Sequence, residues 1–344
     1  MKSRTGMWIF VVCLFPTLAV PILFAAQNGK NHQPTFTTFD VPGSVYTLPS
    51  SINSAGAITG VYYDASFVRH GFVRGHHGTI TTFDPPGVGP PGVSLDPSIN
   101  LAGAITGSYY DASFVLHGFL RAPDGTITTF DRPGSRSITT SSINPAGAIT
   151  GTYTDASFVL HGFLRARDST TFDPPDSKFT SSSGINPAGA ITGSYVDTSG
   201  HDHGFLRARN GTFTTFDPPG SIFIITSGIN PAGAITGSYQ DVTRFTLHGF
   251  LRAPDGTITT FDVPVAAGNR ANSINPAGAI TGYYEVFDGT SFNVHGLLRA
   301  PGGTITTFDV PGATITWASS INPAGAITGF YSDASGHDHG FVRY

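Results

Sequence analysis

Cysteine is all but missing. The 344-residue chain holds one, Cys13, inside an apolar N-terminal stretch, so the remainder of the chain has none. Disulfides, zinc–cysteine centres and thiol catalysis are therefore unavailable to the body of the protein. Charge is scarce as well: Asp, Glu, Lys and Arg make up 12% of the residues, about half the usual ~25%. No acidic or basic run occurs, and a formal charge of −4 excludes a strongly basic nucleic-acid binder. Lys and Glu are few, and no apolar period of three or four residues runs through the chain, so helices lack their raw material. What is abundant is turn chemistry, with 43 Gly and 25 Pro, together with 27 Phe and a 39% hydrophobic fraction. That composition has apolar surface to bury and constant punctuation, which points to an all-β protein.

The first 26 residues read as a targeting segment. Lys2 and Arg4 precede an apolar run over residues 7–26 that ends in Ala25 and Ala26, the layout of a secretory signal peptide. The run is long enough for an uncleaved anchor to be the alternative, although Pro16 and Pro21 interrupt a spanning helix. Val12 before Cys13 does not give the small residue that a lipoprotein signal places there. Either way the body is exported, to the periplasm or the extracellular space, and it meets a membrane only if the segment is retained. Residues 27–33 form a short linker, and 34–344 a single domain.

Internal repetition fixes the organisation. Ile-Asn-x-Ala-Gly-Ala-Ile-Thr-Gly starts at Ile52, Ile99, Ile143, Ile185, Ile229, Ile274 and Ile321, about 45 residues apart. Thr-Thr-Phe-Asp and His-Gly-(Phe/Leu)-x-Arg phrases also recur seven times each. Within residues 47–84 the turn signals mark four short strands: A (47–53), B (57–63), C (70–74) and D (79–84). Four strands in a period near 45 predict a seven-bladed β-propeller. The small residues before each Ile-Asn, such as Ser50-Ser51 and Ser141-Ser142, suit an innermost strand where space is least. A lone D strand at 35–40 and a last unit (314–344) without D predict ring closure by pairing the two, which removes both sheet edges.

The unit resembles the HAF-type extracellular repeat of bacterial proteins, which pairs an Ile-Asn-x-x-Gly-x-(Ile/Val)-x-Gly strand with a His-Ala-Phe strand. Here Ile143-Asn144-Pro145-Ala146-Gly147-Ala148-Ile149-Thr150-Gly151 carries the first phrase. The second departs consistently, with Gly118, Gly162 and their equivalents in place of Ala, and Leu297 in place of one Phe. The resemblance covers residues 34–344. It implies secretion and a propeller-like fold, and no particular activity.

Repeated polar residues point first to scaffolding. Hairpin counting sets His70 beside Asp84, His117 beside Asp131, His161 beside Asp173 and His203 beside Asp217. It likewise sets His248 beside Asp262, His295 beside Asp309 and, through closure, His339 beside Asp40. A His/Asp pair can serve general acid–base catalysis, but an enzyme needs one asymmetric constellation. Seven copies read as a fastening. His201–His203 and His337–His339 place two imidazoles on one strand face, short of the three or four ligands of a metal site, so neither metal nor cofactor is expected.

The departures from the repeat are the candidate binding residues. Trp317 and Arg270 stand four positions before their Ile-Asn, near the expected channel mouth, and Tyr46, Arg136, Lys178 and Phe223 lie in the same variable D–A connections. Aromatic surface beside hydrogen-bond donors suits a sugar or a planar anion, while Trp317 as a plug between blades is the plainer reading. The expectation is a monomeric, secreted, non-catalytic binding module for a glycan or surface protein. A glycan hydrolase or lyase at the channel mouth is the alternative, requiring two converging acids, and on the proposed rim the non-repeated acids are few: Asp96, Asp176, Glu285 and Asp288. A purely structural extracellular role is the third reading.

Overall fold

The Asn-x-Ala-Gly phrase makes the first turn of each unit. In the computed structural model, which describes residues 34–344 apart from Leu95, Arg244, Phe245 and Val265, Asn53 follows strand A (Tyr46–Ile52). Its carboxamide oxygen accepts hydrogen bonds from the backbone N–H groups of Ala55 and Ala57 at 3.0 and 2.9 Å, an Asx-type turn. Gly56 takes φ +79°, a conformation that costs glycine nothing. Strand B (Ile58–Tyr63), strand C (Arg69–Arg74) and strand D (Ile80–Phe83) follow as an antiparallel meander. Observed ends differ from the expected ones by one residue. Strand D begins at Ile80, opposite Arg74, and not at 79, because the Thr79 carbonyl closes the turn by accepting from the Gly75 N–H.

The meander recurs along the chain. Five sheets are four-stranded, and one eight-stranded sheet consists of two such meanders, 221–261 and 268–308, joined by a single parallel bridge between Leu247 and Gly268. In one four-stranded sheet the D position is taken by the first strand, Phe36–Phe39, with Phe36 opposite Arg343 and Phe39 opposite Gly340. No helix occurs among the described residues, and Thr35–Tyr344 form one compact unit. The expected targeting segment (1–26) and linker (27–33) lie outside the described residues. In the second meander strand A shrinks to Ser98–Ile99. The preceding 85–97 segment holds Pro90, Pro91 and Pro97, which bring no N–H to a ladder.

Neighbouring meanders are joined by three repeated contacts. The first is apolar: Phe72, Phe119, Phe163, Phe205, Phe250 and Phe341 of the C strands are fully buried, each contributing about 1.5–3 kcal/mol. The second is the strand-C arginine, whose guanidinium lies over the strand-D phenylalanine of the preceding unit. Arg121 covers Phe83 at 5.3 Å and Arg165 covers Phe130 at 4.4 Å, while Arg74 covers Phe39 and Arg343 covers Phe308, both at 4.8 Å. Buried guanidinium nitrogens such as Arg74 Nε have no hydrogen-bond partner, and the ring face partly offsets that loss. Burial lowers the pKa of Arg121, Arg207, Arg252, Arg299 and Arg343.

The third contact is a chain of asparagines. Each turn Asn donates from Nδ2 to the carbonyl of the next turn Asn, from Asn53 to Asn100 at 3.0 Å through to Asn275 to Asn322 at 3.3 Å. Asn322 then donates to Asn53 at 3.2 Å. All seven are buried, and one side chain serves both its own turn and its neighbour.

The glycine of each His-Gly phrase also has a packing reason. A Cβ on Gly204 would lie 2.5 Å from ring carbons of Phe216, and the other six glycines face their strand-D phenylalanines equally closely. A His-Ala-Phe strand would therefore displace the ring. Gly204→Ala should lower stability by about 1–3 kcal/mol. Asn144→Ala, which frees two turn N–H groups and one carbonyl, should cost about 1–3 kcal/mol. Urea unfolding of each variant beside the parent measures both, and unchanged midpoints would contradict the packing described.

Candidate functional site

Strand A supplies the floor of a central cavity because it is bulged. In six meanders its register shifts two residues before Ile-Asn, between Pro49 and Ser51 in the first and between Ala318 and Ser320 in the last. A bulge turns an extra residue out of the ladder, and here those residues are Ser50, Ser141, Ser183, Ser227, Asn272 and Ser319, all lining one cavity of about 670 Å³. Several also bond the neighbouring unit: Ser50 donates to the Pro97 carbonyl at 2.6 Å, Ser141 to Ser182 at 2.7 Å, and Asn272 to Ala318 at 2.8 Å. A hydroxyl-lined cavity thus follows from residues that also join the sheets.

At the end away from the asparagines the lining changes. Trp317 stands opposite Phe330 on the ladder, with the rings stacked at 5.6 Å and 18°, and both line the cavity. Tyr283 lies 3.7 Å from Trp317 between ring centroids. Burial pushes the Tyr283 hydroxyl up to about 12, against the opposing charge and hydrogen bond of Arg270. Arg270 is thus the partner of Tyr283, opposite it on the ladder, and is not among the cavity-lining residues. The one carboxylate among those residues is Asp96. Asp96 is exposed to solvent, and desolvation by the protein around its carboxylate raises its pKa while the Arg69 charge opposes the rise. Asp96 has no hydrogen bond or ion pair with a described side chain.

The other expected binding residues lie along the rim formed by B–C loops and D–A connections, outside this cavity. Tyr46 packs edge-on against Tyr63 at 5.7 Å and approaches Phe67 and His337. Arg136 covers Phe158 at 4.1 Å, Lys178 lies 5.6 Å over Phe179, and Phe223 is exposed. The structure therefore brings Trp317 and Arg270 together through Tyr283 and leaves these four apart from them. Asp176, Glu285 and Asp288 are likewise absent from the cavity lining.

Phe330 and Tyr283 were not singled out from the sequence. Both occupy the middle of Gly-x-Tyr, where the other units carry Val61, Ser108, Thr152, Ser194 and Ser238. Two adjacent aromatics at that position were the available signal. The rim holds a second unforeseen feature. Phe67, Phe114 and Phe158 have φ of 59–64° and are 60–70% exposed, whereas the equivalent Gly200 and Gly336 supply the left-handed residue in two other units. A bulky residue held there is strained by about 1–2 kcal/mol, and its exposed ring returns little.

The His/Asp pairs have a common geometry. Nδ1 of each strand-C histidine lies 2.8–3.0 Å from its strand-D aspartate, including His339 to Asp40 at 2.9 Å. In six units Nε2 faces a second carboxylate, Asp64 or its equivalent, at 3.3–3.6 Å. The seventh, at His295, has Val286 at the corresponding position. Each ring also packs on the Gly-x-Tyr tyrosine, at 5.1 Å for Tyr62 and His70. Among the described residues no three His, Cys, Asp or Glu side chains converge as a metal site would require.

No family model matches the sequence, and no curated protein matches it. Solved structures do. The β-propeller domain of the Trilobed protease from Pyrococcus furiosus, which has an open velcro topology, aligns with a TM-score of 0.60 at 10% identity, over 87% of this chain and 95% of that one. The fold is a β-propeller. A prolyl endopeptidase aligns at 0.62 and 12% identity, over 87% of this chain and 48% of its own. The Pyrococcus horikoshii acylaminoacyl peptidase aligns at 0.58 and 11%, over 88% and 52%. The chain spans about half the length of these two peptidases, and at such identities the likeness concerns the fold alone.

The paired groups of the propeller make its stability depend on pH in a defined sense. Burial disfavours charge on His117 and His339, but the hydrogen bonds and charges of their aspartates prevail and raise both above 6.5. Their contribution is complete below pH 6.5 and is lost as pH rises through the raised folded-state values. Asp64, Asp111, Asp155, Asp197 and Asp333 are held below 3.8, chiefly by backbone N–H donors and against the effect of burial. Their contribution is complete above 3.8 and is lost as pH falls through the lowered values. Thermal midpoints between pH 3 and 9 should peak between these limits, and the double variant His117→Gln, His339→Gln should flatten the fall on the alkaline side. An equal alkaline slope in the variant would show that these two histidines do not cause it.

Proposed function

We propose that the chain is an exported, non-catalytic recognition module of the HAF-repeat kind, a seven-bladed propeller closed by its first strand, that binds an extracellular glycan or surface protein through its B–C/D–A rim and channel mouth. The observation that carries this reading is the cavity: bulged serines, an aromatic group at the mouth and a single carboxylate. Such a surface offers hydroxyl partners and an apolar face, the two needs of a sugar ring. The pairing of Phe36–Phe39 with Asp338–Arg343 and the return of the asparagine chain from Asn322 to Asn53 support closure.

Hydrolysis of a glycoside in the usual way needs two carboxyl groups roughly 5–10 Å apart. The cavity lining supplies Asp96 alone, which favours binding over cleavage. Exposed Phe67, Phe114 and Phe158 add apolar contact points on consecutive units of the same rim, and strain retained at an exposed ring is more often tied to use than to packing. The apolar run at residues 7–26 supports export.

Screening the full chain against a glycan array and isolated cell-wall material tests the proposal. Saturable retention on one glycan class is expected, with Trp317→Ala weakening it by about tenfold or more, the effect of losing a central aromatic anchor. Retention by no glycan or surface protein, or release of reducing sugar from a retained glycan, would overturn it.

A further inference from the structure

The cavity has an electrostatic character that the general reading leaves open. Its lining is uncharged except for Asp96, and neither Arg69, whose charge acts on Asp96, nor Arg270 is among the lining residues. Arg69 donates from Nε to the Pro91 carbonyl at 3.3 Å and lies 5.9 Å over the Tyr110 ring. Arg270 meets Tyr283 across the ladder, so both arginines have partners other than the acid. A carboxylate with no hydrogen bond or ion pair to a described side chain, in a cavity of hydroxyls with an indole at the mouth, is complementary to a ligand that is cationic, hydroxylated and apolar on one face.

Resting on the glycan-binding reading, we propose that the channel mouth is a site for amino sugars with a free amine, such as a short β-linked glucosamine oligomer. The protonated amine donates to Asp96, a charge-assisted hydrogen bond about twice as strong as a neutral one. The apolar face of a sugar ring lies on Trp317, backed by Phe330 and Tyr283. Ring hydroxyls meet the bulge serines, whose backbone-directed bonds leave oxygen lone pairs free to accept. A cavity of about 670 Å³ lies within the ~300–1,000 Å³ of small-molecule sites and accommodates a short oligomer. An N-acetylated sugar removes the cation and leaves Asp96 desolvated without a partner, so discrimination by acetylation state is the signature of this site.

The chain reports on the site directly, because its two tryptophans are Trp8 and Trp317. In full-length Trp8→Phe protein, emission therefore comes from Trp317 alone. Titration at about pH 6, where the amine is protonated, uses glucosamine trimer and N-acetylglucosamine trimer as probes. The amine trimer should shift Trp317 emission saturably and bind about tenfold more tightly than the acetylated one, as one added charge-assisted bond at about 1.4 kcal/mol would give. Asp96→Asn should abolish that preference while leaving weak binding of both trimers. Its thermal midpoint should match the parent, since Asp96 holds no other group in place.

Equal affinity for the two trimers, or a preference that survives Asp96→Asn, would overturn the amine assignment and leave the recognition module standing. An unperturbed Trp317 in protein that is retained on an array glycan would place recognition elsewhere on the rim and overturn the site. Failure on both the array and the trimers would overturn both readings together.

Discussion

The buried asparagine is the group on which the remaining structure depends. One carboxamide closes the A–B turn through its oxygen and reaches the next unit through its nitrogen, so local geometry and the relation between units are set by a single planar group. A buried carboxamide left half-satisfied would cost more than its bonds return. Rotation of a unit about its neighbour therefore breaks the Nδ2 bond and leaves a buried donor and a buried carbonyl unpaired. The arginine over the preceding phenylalanine repeats the same logic at the C–D end, where the cation has an aromatic face in place of a carboxylate.

With the turns pinned at that end, the opposite end is free to vary. Along strand A the bulge sends a serine or asparagine toward the axis, and beyond it the ladder position of Trp317 is occupied elsewhere by Leu48, Thr139, Ser181, Ile225 and Arg270. Variation there disturbs no inter-unit contact of the conserved kind, which is why an aromatic group and a lone acid can sit on an otherwise repetitive frame. The long Pro-rich segment before Ser98 truncates one strand A and carries Asp96 into the cavity by the same freedom.

The His/Asp pairs belong to the frame more than to its open end. Each pair joins strand C to the end of strand D within one sheet, and the sheet completed by the first strand has the same arrangement, His339 with Asp40. Their repetition leaves them without the asymmetry that chemistry requires. Their effect is on the pH range over which the sheets hold together.

Much of the frame was legible in the sequence because it is written many times. Turn residues, strand periods and the His/Asp juxtaposition follow from local hydrogen-bonding rules, and a repeat exposes them by agreement between copies. Strand D starts one residue later than expected because the Thr79 carbonyl closes a turn instead of joining the ladder. The grouping of site residues was not legible in this way. Trp317 and Arg270 read as neighbours near the channel mouth, whereas Tyr283 contacts both, and Tyr46, Arg136, Lys178 and Phe223 are carried to other partners. The sequence alone determined the all-β class, the repeated unit and its internal fastenings, since these depend on residues a few positions apart. Only the tertiary structure decided which side chains from units far apart in the chain share one cavity, because that depends on how bulges and sheet faces turn each strand toward the axis.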